Sequence, residues 1–247
     1  MASASFFLLA ALLVLPSSAA PAAPCGNATL PLESTKKNVL LVGDSISMSP
    51  PYTPGGYGHI LEQLLSAQGV FVQHAGGDFS GGQCADTRTG LKCTNLTGPG
   101  MLDVEGTFDL IHFNYGLHDL ANYSAALPPL PLPQYGENLA TIYQRFAAKS
   151  RMVMWTTTTP CPNVPTSFGR SWQLVVDYNK QALASLTAVA PGGKLLVDDL
   201  WQAMVSACGD HYTNCKYQLP ANVHLTPAGE ELLAAAASRE ILRALGL

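Results

Sequence analysis

Short apolar runs alternate with longer amphipathic stretches along the chain. Residues 38–42 form a mostly apolar run that stops at Gly43-Asp44, the pattern of a buried strand. Residues 60–65 carry apolar positions at helical spacing and stop near Gly69, and residues 70–74 read as a second strand. The segment 75–100 is rich in Gly, Thr and Cys and reads as loop. A third strand covers 108–115 and ends at Gly116, and a Pro-rich link over 127–133 leads into a helix over 135–148. Residues 151–157 give a fourth strand, 172–189 a helix, 194–197 a fifth strand and 228–245 a closing helix. Strands and helices alternating at this spacing predict an α/β domain over 38–247, built on a parallel sheet covered on both faces. In such a sheet a reactive site lies beyond the carboxyl ends of the strands. Chemistry is therefore expected after the first and third strands and in the loop before the last helix.

Composition narrows the class. The chain has 247 residues, 47% of them hydrophobic and 12% charged, which is enough apolar material for a full core. A formal net charge of −4 gives no basic footprint for nucleic acid or an anionic membrane. The N-terminus departs from the globular pattern: residues 5–15 are an apolar run, Pro16 breaks it, and small residues follow to Ala23. The run is shorter than the roughly 20 residues a spanning helix needs, so residues 1–22 read as a cleaved signal peptide. An exported, soluble mature chain with no stable membrane insertion follows. Six cysteines come after that segment, Cys25, Cys84, Cys93, Cys161, Cys208 and Cys215, and an even number in an exported chain reads as disulfides. Cys84 with Cys93 and Cys208 with Cys215 enclose short loops, which leaves Cys25 for Cys161. The spacing Cys208-Gly-Asp-His-Tyr-Thr-Asn-Cys215 matches no standard zinc pattern, so no metal is expected. Sequons at Asn27, Asn95 and Asn122 offer glycosylation sites.

Two segments fall where chemistry is expected. Gly43-Asp44-Ser45-Ile46-Ser47 follows the first strand, and a hydroxyl there becomes a nucleophile only with a base to take its proton. Asp44 beside it reads as a turn-forming hydrogen bonder. Asn222-Val223-His224-Leu225-Thr226-Pro227-Ala228-Gly229 precedes the last helix, with Thr226 as its cap and Pro227 in its first turn. Gly-Asp-Ser alone is a common turn, and a lone histidine is more often structural. Their order, at the two ends of one α/β unit, makes Ser45 and His224 a candidate pair. Trp155, Trp172 and Trp201 read as core residues, and the Thr-Thr-Thr-Thr-Pro run over 156–160 as part of the rim of a pocket.

These blocks resemble the SGNH (GDSL-type) hydrolases over nearly the whole mature chain, from about residue 38 to 245. The resemblance rests on Gly43-Asp44-Ser45, Ala85-Asp86-Thr87, Gly116-Leu117-His118-Asp119 and His224-Leu225-Thr226. It implies a three-layer α/β/α sandwich with a five-stranded parallel, flavodoxin-like sheet. It also implies Ser45 as nucleophile, His224 as general base, and an oxyanion hole from the amides of Ser45 and Ala85 with the His118 side chain. Three positions depart from the family pattern. Ala85 replaces a glycine but keeps its N–H. His118 replaces an asparagine, so an imidazole N–H must take the place of an amide, with Asn114 four residues earlier as the alternative donor. Ala221 replaces the aspartate three residues before the histidine. Another group must then hold the Nδ1–H of His224: a main-chain carbonyl near Ala221, or Asp198 or Asp199 after the fifth strand.

The activity implied by the resemblance is a secreted serine esterase that hydrolyses carboxylic esters, short acyl or acetyl, through an acyl-enzyme without a cofactor. Its substrates would be small-molecule or carbohydrate esters. Two further readings stay open: a non-catalytic secreted binder of glycans or acyl groups, which the replaced aspartate would suit, and an acyltransferase using the same Ser–His pair with a sugar hydroxyl as acceptor.

Overall fold

Short, mostly apolar runs pair with one another as a parallel sheet. A computed structural model describes residues 31–47, 56–75, 86–96 and 100–247. Its strands are β1 (Lys37–Val42), β2 (Val70–Ala75), β3 (Leu110–Phe113), β4 (Val153–Thr156) and β5 (Leu196–Asp198). They form a five-stranded sheet in the order β2-β1-β3-β4-β5, every pair parallel. Every residue of β3 and β4 is buried, as a parallel sheet covered on both faces requires. Among the described residues the helices are α1 (Gly58–Ser66), α2 (Thr87–Cys93), α3 (Leu132–Ala147), α4 (Trp172–Val189), α5 (Leu200–Cys208) and α6 (Pro227–Leu245). α6 packs on α1 and α5, while α3 packs on α4 and α2, so each face of the sheet has its own helical layer. The three-layer, flavodoxin-like architecture is as expected.

Two helices were not legible as periodic patterns. α2 lies in the segment read as loop. Its sequence, Thr-Arg-Thr-Gly-Leu-Lys-Cys, has no apolar stripe, and it forms where Asp86 caps it by accepting from the Thr89 amide at 2.9 Å. Arg145 of α3 donates to the Leu91 carbonyl and holds its last turn. α5 starts at Asp199, which accepts from the Gln202 amide at 3.0 Å, and buries Leu200 and Met204 one turn apart. The fifth strand begins at Leu196 rather than 194, because Pro191–Gly193 make a short helical turn with positive φ at Gly192 and Gly193.

The cysteines correct one expectation. Cys208 and Cys215 are bonded as anticipated, and Cys93 is also disulfide-bonded. Cys84 and Cys25 lie outside the described residues, as do the signal segment over 1–22, Asn27 and Ala85. Cys161, however, is a free thiol buried in the core, so the pairing with Cys25 does not form. Burial pushes its thiol up to about 12, and it behaves as a small core hydrophobe. No described helix is long and apolar enough to cross a membrane.

The start of α6 depends on close packing. A Cβ on Gly229 would sit 1.9 Å from the Tyr217 carbonyl oxygen, so the helix approaches the preceding loop only because this position lacks a side chain. Gly229→Ala should destabilise the fold by about 2 kcal/mol through overpacking, a drop in Tm of about 4–8 °C for a domain of this size. An unchanged Tm would show that α6 can step away from Tyr217 at no cost.

Candidate active site

Ser45 occupies a tight turn at the carboxyl end of β1. Asp44 accepts from the Ile46 amide through its side chain at 2.9 Å and from the Ser47 amide through its carbonyl at 3.1 Å. It is therefore the turn-former the sequence suggested. Gly43 lets the turn close tightly, because a Cβ there would meet the Ser47 hydroxyl at 2.1 Å and force that side chain to turn away.

His224 arrives from the other end of the chain on a loop pinned at several points. Leu219 donates to the His224 carbonyl at 2.9 Å, and Thr226 donates to the Tyr217 carbonyl at 3.1 Å. The buried Gln218 side chain donates to the carbonyls of Pro160 (2.9 Å) and Val223 (3.1 Å), and its Oε1 accepts from the Tyr212 hydroxyl. Thr226 caps α6, as expected. The loop so held brings His224 Nε2 to 2.8 Å from Ser45 Oγ, joining residues 179 positions apart.

The ring's other nitrogen answers the question raised by Ala221. The Asn222 side-chain Oδ1 lies 2.9 Å from His224 Nδ1, and the same oxygen accepts from the His224 main-chain N–H at 3.1 Å. A main-chain N–H can only donate, so the amide oxygen rather than its NH2 faces the ring. His224 therefore carries its proton on Nδ1, and Nε2 is free to accept from Ser45. The backbone makes this reach with a turn in which Asn222 N donates to Leu219 O at 3.2 Å, Pro220 is second and Ala221 has φ +50°.

The three candidates named from the sequence are not the partner. Asp198 accepts from His112 Nε2 at 2.8 Å, both side chains being 2% exposed. Asp199 caps α5 and accepts from the Thr157 hydroxyl at 3.0 Å. β5 lies three strands from β1 in the sheet order, roughly 14 Å at normal strand spacing. The orienting group is neutral, as a main-chain carbonyl would have been, but it is a side-chain amide.

The donors expected after β3 separate. Asn114 gives its amide to the Thr156 carbonyl (2.8 Å) and the Thr158 hydroxyl (3.3 Å), so both N–H groups are used inside the sheet and it offers none to a substrate. His118 is half-buried, stacked on Tyr123 with ring centroids 5.7 Å apart, and its Nδ1 lies 2.6 Å from the Tyr123 hydroxyl. Burial holds both His118 and His224 below the ordinary histidine range. Asp44 opposes that shift at both rings, and Arg170 reinforces it at both. The same two charges act on both imidazoles, which therefore share one electrostatic environment. Ala85, the remaining candidate donor, lies outside the described residues. The threonines over 156–159 are buried; Thr156 and Thr157 donate to the Asp198 carbonyl and the Asp199 carboxylate and join β4 to β5 and α5, and with Thr159 they line a small cavity beside Asp44, Ser47 and Asn114.

Asp119, next to His118, links the two middle blocks. It is fully buried and accepts from the Thr87 amide at 2.9 Å and the Thr87 hydroxyl at 2.5 Å, while its second oxygen has no partner among the described residues. Burial outweighs the two Thr87 hydrogen bonds and raises the carboxyl to about 7. Asn222, Gln218, Tyr123 and Arg170 are thus site residues that pattern reading missed. Asn222 alone had a local signal, an amide two residues from a candidate base. Among the described residues no group of three or more His, Cys, Asp or Glu side chains is arranged to hold a metal ion.

The fold recurs in solved structures. A GDSL-like lipase from Bacteroides thetaiotaomicron is 18% identical with a TM-score of 0.59, over 84% of this chain and 89% of its own. The lipase/acylhydrolase from Enterococcus faecalis is 21% identical with a TM-score of 0.55, over 83% and 95% of the two chains. An acetylxylan esterase from Geobacillus stearothermophilus, solved as a catalytic mutant, is 17% identical with a TM-score of 0.59, over 83% and 94%. At these identities the likeness is one of fold. No family model matches the sequence, and neither does any curated protein.

The raised carboxyl of Asp119 has a measurable consequence. Between about pH 4 and 7 the folded chain keeps a proton there that the unfolded chain has lost, so stability falls as pH rises through that window and levels off above it. Asp119→Asn keeps an acceptor for Thr87 and cannot ionise. Urea midpoints measured from pH 4 to 8 should decline less in the variant than in the wild type. Equal pH slopes in the two proteins would show that Asp119 is ionised throughout.

Proposed function

We propose that this chain is an SGNH (GDSL-type) serine hydrolase, an exported esterase acting on carboxylic esters of short acyl groups. The observation that carries the reading is the 2.8 Å contact between Ser45 Oγ and His224 Nε2, at strand ends of a sheet whose order is that of flavodoxin-like folds. His224 takes the Ser45 proton as the hydroxyl attacks the ester carbonyl, and the serine becomes acylated as the alcohol leaves with that proton. Water, deprotonated by the same imidazole, then releases the acid. The amides of Ser45 and Ala85 and the His118 side chain are the donors to the developing oxyanion, each worth about 3 kcal/mol of barrier.

Asn222 completes a Ser-His-Asn arrangement, comparable to the Cys-His-Asn sets of papain-like proteases. Its oxygen fixes the tautomer and the ring orientation, but it lends the imidazolium no negative charge. The non-catalytic reading arose from the missing aspartate at 221, and the Asn222 contact to His224 Nδ1 favours the catalytic one. Small acyl esters, including esters of carbohydrates, are the proposed substrates, supported by acetylxylan esterases among the fold's relatives. Export is supported by the N-terminal apolar segment and by the Cys208–Cys215 disulfide. Asn95 and Asn122 are exposed, as glycan acceptors must be.

Wild-type protein should hydrolyse p-nitrophenyl acetate and be labelled by a fluorophosphonate probe, and Ser45→Ala should lose both while keeping its circular dichroism spectrum. A Ser45→Ala protein with wild-type turnover would end the proposal. The base must be neutral to act, and burial holds His224 below its usual value of 6.5, so the acid limb of kcat/KM should lie below pH 6.5. Asn222→Ala should lower kcat/KM about tenfold to a hundredfold. Asn222→Asp should move the acid limb upward, because a carboxylate stabilises the imidazolium. An unmoved limb in Asn222→Asp would show that residue 222 does not contact the working base.

A further inference from the structure

His118 can serve as a donor only in one tautomer, and the structure contains a chain of groups that selects it. The Arg170 side chain is buried between two loops: Nε donates to the Leu117 carbonyl at 2.8 Å and Nη2 donates to the Tyr123 hydroxyl at 2.7 Å. Its guanidinium also lies over the rings of Phe168 (5.2 Å) and Tyr123 (5.6 Å). The loop that presents it is fixed by the Thr166 hydroxyl bonding to the Arg170 carbonyl at 2.6 Å, and by Asn122 donating to the Phe168 carbonyl at 2.8 Å. Phe168 holds a left-handed φ of 63°, a strained conformation for an aromatic residue, and this turns the chain so that Arg170 faces inward.

The direction of the hydrogen bonds follows from valence. A guanidinium has only donors, so at the Tyr123 oxygen it fills an acceptor position. The phenol has one proton, and among the described residues the acceptor placed to take it is His118 Nδ1 at 2.6 Å. Burial keeps the phenol above its ordinary range, so it still holds that proton where histidines are neutral. Nδ1 therefore accepts, and the His118 proton stands on Nε2, which has no partner among the described residues.

We infer that Tyr123 and Arg170 are positioning residues that lock His118 as the neutral Nε2–H tautomer, so that an imidazole can replace an amide as the side-chain donor to the oxyanion. This rests on the esterase reading of the site. It extends that reading to two residues outside the four sequence blocks and gives a reason for histidine at 118. An asparagine carries its N–H in every state, whereas a histidine needs a neighbour to decide which nitrogen is protonated. The positive charge of Arg170 has a second effect: it disfavours protonation of the ring it orients.

Two measurements test the inference. Long-range proton–nitrogen NMR spectra of the wild type should show His118 neutral with its proton on Nε2 through neutral pH, and Tyr123→Phe should convert it to a tautomer mixture. This readout does not require turnover, so it stands or falls apart from the esterase reading, which fluorophosphonate labelling of Ser45 decides. Tyr123→Phe should also lower kcat about tenfold or more with KM nearly unchanged, the signature of a donor acting in the transition state. In a His118→Asn background, where no tautomer needs choosing, adding Tyr123→Phe should change kcat less than about twofold. A wild-type Nδ1–H tautomer would overturn the inference. So would full activity in Tyr123→Phe, or equal kcat losses from it in both backgrounds.

Discussion

The order of the strands governs everything else. β1 and β3 lie side by side and parallel, yet β1 continues into α1 on one layer and β3 leads on to α3 on the other. Two chains leaving adjacent strand ends in opposite directions open a crevice between them, and polypeptide cannot close it without leaving backbone groups unpaired. Ser45 stands at one lip, at the end of β1, and Leu117 and His118 at the other, just beyond β3. α6 packs on α1, so the loop before it delivers His224 to the Ser45 side. Ser45 and His224, 179 positions apart, come within hydrogen-bond reach beside the switch point of a five-stranded sheet of this order.

The polar groups around that crevice divide by burial. Asp198 and His112 are paired and sealed from solvent, and Asp199 is taken up by a helix cap, so both carboxylates have partners other than His224. Asp44 opposes the downward shift of both histidines while its side-chain oxygen shapes the Ser45 turn. Arg170 reinforces that shift from beyond Tyr123. Both imidazoles feel Asp44 and Arg170, and His118 feels Asp86 as well, but burial decides the direction of their shift and favours the uncharged ring.

What could be read from the sequence was what is encoded locally. Residues 38–42 and 108–115 announced strands because a parallel strand buried on both faces has little choice but to be apolar. Ser45 and His224 announced themselves by motif and order. α2 and α5 did not, since a capping side chain and tertiary contacts make them, not a periodic stripe. The third member of the site was sought at Ala221 and at the end of β5. Position 221 is a left-handed turn residue whose function is to swing Asn222 back toward the ring, and a φ of +50° leaves no mark on an alanine in a sequence. β5 lies at the opposite edge of the sheet from β2, a fact that belongs to strand order rather than to residue spacing. Tyr123 and Arg170 are 47 positions apart, and only the folded loops make them neighbours.

A single oxygen, that of Asn222, accepts from both the backbone and the ring of His224. The imidazole is thereby tied to its own loop: any movement that carries Asn222 away from the His224 backbone also takes away the acceptor that orients the ring. Reactive alignment lasts as long as that one segment stays shut. The segment is built of turns and side-chain clamps, whereas the sheet is a continuous buried ladder, so the two belong to different tiers of local stability. Mild heat or denaturant can disarm the base while the strands remain paired, and loss of function will then run ahead of loss of structure.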